Sequence, residues 1–208
     1  MRRILLLVLF AWSLSAKAAI DLTPTTSEYI AEGLTFRQFS LKDGERRIIF
    51  EPPQHWAYRG TSAMMQFTPA DIPRADAVIQ VADAKAPGRL DDNAITSLRE
   101  KFMAALPAGC QGAQIISEEF NPVQFEGASS YGITGKYHAV GEIFVRSVVF
   151  VNLPVTQLTF RLTARQADFD KLNKPFRGSV LSWHWVDASP TATALQKAPP
   201  QTAVSRQE

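Results

Sequence analysis

The stretch FEPPQHWAYRG, residues 50–60, gathers the side chains best suited to chemistry in this 208-residue chain. Glu51, His55 and Arg59 follow one another at intervals of four. A carboxylate, an imidazole and a guanidinium could serve as acid, base and anion holder. The same stretch also reads as a turn. Pro52 and Pro53 cannot donate ladder hydrogen bonds, so a strand through Ile48, Ile49 and Phe50 must stop there. Trp56 to Arg59 then resumes as a short strand. Two-residue alternation puts Trp56 and Tyr58 on one face and His55, Ala57 and Arg59 on the other. In this reading Pro52, Pro53 and Trp56 are structural anchors. His55 and Arg59 form a small cationic face able to hold an anion or an acidic partner.

Other arrangements of reactive residues fare less well. Glu118 and Glu119 are adjacent, and on a strand they point to opposite faces, so they cannot share a substrate. Asp91 and Asp92 suit the start of a helix better than an acid/base pair. His55, His138 and His184 are far apart, and Cys110 is the only cysteine. Neither close ligand spacing for zinc nor an internal disulfide follows from them. GTSAM lacks the second glycine of a nucleophile elbow. GASSYGITG lacks the Lys-Ser/Thr of a phosphate loop and leads into a strand. The expectation is no catalytic residue, no metal and no cofactor. A hydrolase with a site assembled from distant residues stays open as an alternative.

These residues need elements to hold them. VTQLTFRLTA, from Val155, alternates Leu158, Phe160 and Leu162 with Gln157, Thr159 and Arg161, a strand with one buried face. IFVRSVVFV, 143–151, is apolar on both sides and reads as a central strand. NLP turns the chain between them. With SSYGITGKYHA before, the three predict an antiparallel meander. LTFRQFSL, RRIIFEP, AMMQFTP and DAVIQVADA read as earlier short strands, AQIISEEF and PVQFEG as weaker ones. LDDNAITSLREKFMAALPAG predicts a helix with Ile95, Leu98 and Phe102 on one stripe, capped at Asp91 or Asp92 and stopped by Pro107 and Gly109. ADFDKLNKPFRGSVLSWHW carries a second stripe through Phe169, Leu172, Phe176, Val180 and Trp183, with Pro175 expected to kink or split it. The fold class that follows is α+β, with one antiparallel β-sheet of about six or seven strands and helices packed on it. A parallel βαβ fold fails because helices do not alternate with strands.

The ends bound the environment. Arg2 and Arg3, the apolar run Ile4–Trp12 and Ala16-Lys17-Ala18 have the order of a cleaved secretory signal over 1–18. The run is too short for a membrane span, which needs roughly 20 residues. Ala19, not cysteine, would follow the cut, so no lipid anchor is expected. Arg2, Arg3 and Lys17 leave with the signal, turning a net charge of +2 into a slight negative excess. That argues against nucleic acid as a partner. Residues 19–32 read as a loosely ordered lead-in, 33–186 as one globular domain and the Ala/Pro/Thr/Gln-rich 187–208 as a disordered tail. The expected location is periplasmic or secreted, as a soluble protein without a transmembrane segment after cleavage.

The order of parts also resembles the PsbP-like domain, whose superfamily takes in Mog and the periplasmic DcrB-type proteins. The residues that carry the resemblance are IIFEPPQHW, with its Pro53-Gln54-His55-Trp56 turn, MMQF after it, and Gly127, Gly132 and Gly135 at the opening of the meander. It covers about 34–185. It implies an α/β/α sandwich around an antiparallel sheet and a non-enzymatic role in binding or assisting other proteins, here an envelope protein of a bacterium. It carries over no metal or partner site. The alternative is a carrier of a small anionic or apolar ligand.

Overall fold

The computed structural model describes residues 20–83 and 90–187. The segment read as a signal, residue 19, the stretch 84–89 and residues 188–208 of the expected tail lie outside the described residues.

Alternation of apolar and polar residues builds the sheets as expected. Six strands come first: β1 (Asp21–Ala31), β2 (Leu34–Asp43), β3 (Arg46–Phe50), β4 (Trp56–Thr61), β5 (Met64–Pro69) and β6 (Asp76–Asp83). Helix α1 (Asp92–Ala104) follows, then β7 (Gln111–Phe120), β8 (Ser129–Ala139), β9 (Glu142–Asn152) and β10 (Thr156–Arg165). Helix α2 (Gln166–Leu181) and a short β11 (His184–Asp187) complete the described chain. All pairings are antiparallel. The fold class is α+β, with the strands divided between two sheets. A seven-stranded sheet runs β4-β5-β6-β10-β9-β8-β7, and a four-stranded one runs β1-β2-β3-β11.

The seven-stranded sheet is covered unequally. One face packs Leu158, Phe160, Leu162 and Ile79 against α2 (Phe169, Leu172, Phe176, Val180) and against β2 and β3 (Phe39, Leu41, Ile48, Phe50). This is the main core. Phe50, Phe125, Phe160 and Trp183 stack within it at centroid distances of 4.7 to 6.1 Å. On the other face α1 buries Ile95, Leu98 and Phe102 against Tyr131, Ile133, Val148 and Phe150 of β8 and β9. Asp91 caps α1 by accepting from the Ala94 N–H at 2.8 Å. Gly135 lets α1 come this close: a Cβ there would lie 2.7 Å from the Phe102 ring.

Four sequence expectations are corrected. The lead-in, 19–32, holds a full strand: β1 pairs with β2 from Thr25 to Ala31, and Leu22 is wholly buried. Its polar residues misled because β1 is an edge strand with mostly exposed side chains. Pro175 neither splits nor ends α2, which runs on to Leu181. It sits on the exposed side of the helix, where water can satisfy the carbonyl that its missing N–H leaves. The stripe on the other side, from Phe169 to Val180, holds both halves to the sheet. The stripe does not extend to Trp183 as helix. Ser182 caps the helix C-terminus, and His184–Asp187 pair with β3. PVQFEG is not a strand; within it and its flank only Phe125 and Ala128 form an isolated bridge.

Candidate functional site

The stretch 50–60 divides its reactive side chains instead of gathering them. β3 stops at Phe50. The Glu51 N–H donates to Ser182 Oγ at 2.9 Å, and its carboxylate accepts the Tyr29 hydroxyl at 2.5 Å. That bond raises the Tyr29 hydroxyl pKa. Glu51 is thereby engaged between two structural partners. Pro53 is buried, and Trp56 lies parallel to Phe176 with centroids 6.5 Å apart. His55 occupies the turn with φ +63°, outside β4. Alternation therefore does not carry from His55 to Arg59. His55 instead lines a cleft of about 170 Å³ with Glu28, Thr35, Arg37, Pro52, Pro53 and Gln54. Arg37 is the cation that sequence reasoning missed there. It comes from β2, some twenty residues away, and no local spacing links it to His55.

Arg59 belongs to a different surface. Its Nε and Nη2 donate to Gln66 Oε1 at 3.1 and 2.9 Å. Directly opposed residues in antiparallel strands share a face. Arg59 pairs with Gln66, Gln66 with Val78, Val78 with Arg161 and Arg161 with Val148. Val148 packs under α1. Arg59 and Arg161 therefore lie on the face that α1 covers only in part. Over β4, β5, β6 and β10 no described helix covers this face, and it displays Met64, Gln66, Gln80, Gln157 and Thr159 beside the two arginines.

Cationic charge is left unmatched on this half. Every described arginine apart from Arg47, Arg59 and Arg146 reaches a carboxylate within 4 Å. Arg146 lies on the same face, in register with Thr163. It is 6 % exposed, donates to Thr163 Oγ1 at 3.1 Å and to the Ala105 carbonyl at the end of α1, and lies 5.7 Å from the Tyr137 ring. Burial lowers its pKa, and the nearby Arg161 cation acts in the same direction. Arg161 pairs with Asp76 at 3.1 Å, but its Nε is buried without a partner among the described residues. Lys101, on the flank of α1, reaches Gln157 at 2.6 Å and lies over the Phe150 ring. Burial lowers its pKa as well. Of Arg59, Arg146, Arg161 and Lys101, only Arg161 has a carboxylate partner among the described residues, Asp76.

Elsewhere the carboxylates are held apart. Glu118 and Glu119 do project to opposite sides of β7. Arg99 of α1 holds Glu118 at 2.7 Å, and Arg177 of α2 holds Glu119 at 2.9 Å. The Arg99 guanidinium and the Tyr131 hydroxyl hold the Glu118 carboxyl below its usual range. His138 is exposed on β8, and His184 is exposed on β11, where its Nδ1 lies 2.9 Å from the Ser182 carbonyl. Among the described residues no three His, Cys, Asp or Glu side chains come together as a metal site. No described helix is long and apolar enough to cross a membrane.

No family model matches the chain, and no curated protein matches it. Solved structures do. LpqN of Mycobacterium tuberculosis, described as involved in cell envelope biogenesis, superposes with a TM-score of 0.50 at 15% identity, over 79% of this chain and 92% of its own. The cyanobacterial PsbP of Synechocystis superposes with a TM-score of 0.50 at 13% identity, over 76% and 97%. The likeness is one of fold: the α+β architecture of this chain is PsbP-like.

Proposed function

We propose that this is an exported, non-enzymatic binding protein of the bacterial cell envelope that holds or assists an envelope protein. The observation that carries the reading is the open half of the seven-stranded sheet. One face of that sheet is closed by α2 and the second sheet. Among the described residues the other is half uncovered, and there Arg59, Arg146 and Lys101 lack carboxylate partners. Placing like charges together without counter-charge costs stability, so a face that does so is better suited to a partner than to self-packing. The separation of Glu118 from Glu119, and the hold of Tyr29 on the Glu51 carboxylate, take away the acid/base couples that catalysis would draw on. The involvement of the similarly folded LpqN in envelope biogenesis supports the location.

The test is site-specific photocrosslinking in an envelope extract, with the photoreactive residue at Gln80 on the open half or at Lys174 on the outer side of α2. A protein adduct at Gln80 and none at Lys174 is the expected result. Absence of adducts at Gln80 across growth conditions overturns the reading.

A second reading is carriage of a small anion, favoured by the cleft that His55 and Arg37 line together. At about 170 Å³ it is smaller than pockets for drug-sized ligands, which run from roughly 300 Å³. Acetate or phosphate would fit. A rise in melting temperature with either anion, lost in Arg37→Gln, supports this reading. No rise at tens of millimolar anion sinks it.

A further inference from the structure

We infer that the open half of the sheet takes an extended acidic segment of a partner protein, laid across strands β4 to β10. This inference rests on the binding reading above and names the chemistry of the partner. Three features of the face lead to it. The cations are spread in a line and do not converge. Arg59 and Arg161 lie in one cross-strand row on β4 and β10, three strand spacings apart. At about 4.8 Å per spacing that is about 14 Å, too far to clasp one phosphate but matched to carboxylates several residues apart on an extended peptide. The surface between them is peptide-like in its demands. Gln66, Gln80 and Thr159 offer donors and acceptors, and the exposed Met64 offers apolar contact. Finally, the cationic hardware is partly unsatisfied. Arg161 Nε is buried without an acceptor among the described residues, and Arg59 spends two N–H groups on one neutral amide oxygen. A carboxylate arriving at the exposed Arg59 guanidinium makes a charge-assisted bond, roughly twice as strong as the neutral one it supplements or replaces.

Local charge also runs against the whole. The chain without its first 18 residues has a slight excess of acid, yet of Arg59, Arg146, Arg161 and Lys101 only Arg161 reaches a carboxylate among the described residues. Lys101 supports the arrangement from the side, where its ammonium reaches Gln157 of β10. Gln66 is the tuning point. Exchanged for Glu, it supplies Arg59 with an internal carboxylate in the same position and removes the need for an external one.

The probe is a blocked decapeptide of alternating Glu and Thr, titrated into the ¹⁵N-labelled full chain and followed by amide chemical shifts. Shifts confined to β4, β5, β6 and β10 are expected. The variant Gln66→Glu, checked for an unchanged melting temperature, should bind at least fivefold more weakly. Arg59→Gln should weaken binding similarly. Shifts centred on another surface, or equal affinity in Gln66→Glu, overturn the inference. So does binding of inorganic phosphate or phosphatidylglycerol vesicles to this half in place of the peptide. If the Gln80 crosslink captures an envelope protein while the peptide does not bind, the inference fails and the binding reading stands. If neither occurs, both fall.

Discussion

At the scale of single residues, closeness of approach and pairing decide the outcome. Gly135 is the point where α1 meets the sheet. An added methyl would lie 2.7 and 2.8 Å from Phe102 ring atoms and 3.0 Å from the Gln114 carbonyl. Neither a buried ring nor a backbone oxygen can retreat easily, so Gly135→Ala should cost about 1–3 kcal/mol. Denaturant melts check this. Adding Phe102→Leu should recover part of the loss, and a strictly additive double mutant would refute the contact as the cause. Glu118 gives a pH prediction. Its folded pKa is depressed, chiefly by the hydrogen bond from Arg99. Its contribution is therefore fully present above the unfolded carboxylate value of about 4.3 and is lost as pH falls through the folded value. Glu118→Gln should lose stability at pH 7 and show a flatter decline below about pH 4.3 than the parent. Parallel stability-versus-pH curves for the two proteins would contradict this. Arg146 shows what residue types alone conceal. In sequence it is one polar interruption in IFVRSVVFV. In the fold it ties the Ala105 carbonyl of α1 to Thr163 of β10.

At the scale of elements, α2 tests how tertiary packing overrides propensity. A proline inside a helix costs about 3 kcal/mol relative to alanine. Pro175 stays because Phe169, Leu172, Phe176 and Val180 are anchored in the main core. Pro175→Ala restores the missing N–H on an exposed face. It should raise stability by about 2 kcal/mol, the rest being offset by the greater freedom that the unfolded chain regains. A loss of stability would mean that the proline shapes the helix in a way that the core needs. The strands β8, β9 and β10, the cap at Asp91 and the stripe of α1 were legible from sequence because each is decided by neighbours within a few positions. β1 and β11 were not. β1 carries almost no apolar pattern, being an edge strand, and β11 is too short to show a period. Both depend on long-range pairing, β1 with β2 and β11 with β3. The same divide runs through the candidate sites. The turn at Pro52-Pro53 and the opposed faces of Glu118 and Glu119 follow from local rules. The meeting of His55 with Arg37, and of Arg59 with the row that ends at Arg161, needs the topology.

At the scale of the whole molecule, the two sheets are joined by segments distant in sequence. β11 closes the four-stranded sheet at its edge on β3, directly after Trp183 enters the core between Phe50 and Phe160. The Trp185 indole N–H donates to Asp43 at 2.7 Å, and Arg46 reaches both Glu126 and Asp187. A boundary for the folded unit near Asp187 is thus a stability statement. A chain ended after Asp187 keeps β11, Trp183 and Trp185. It should melt within a degree or two of the full chain. A chain ended after Ser182 loses Trp183, and removal of a large buried aromatic alone costs about 3–5 kcal/mol. In a chain of this size each kcal/mol shifts the midpoint by about 2–4 °C. The shorter truncation should therefore melt at least about 6 °C lower. At the other end, removal of residues 19–32 should cost stability too, because Leu22 is wholly buried in the main core and its N–H donates to the Ser62 carbonyl. Scanning calorimetry on the three truncations separates the cases. If the chain ended after Asp187 melts as low as the chain ended after Ser182, residues beyond 187 contribute to the fold and the boundary lies further on.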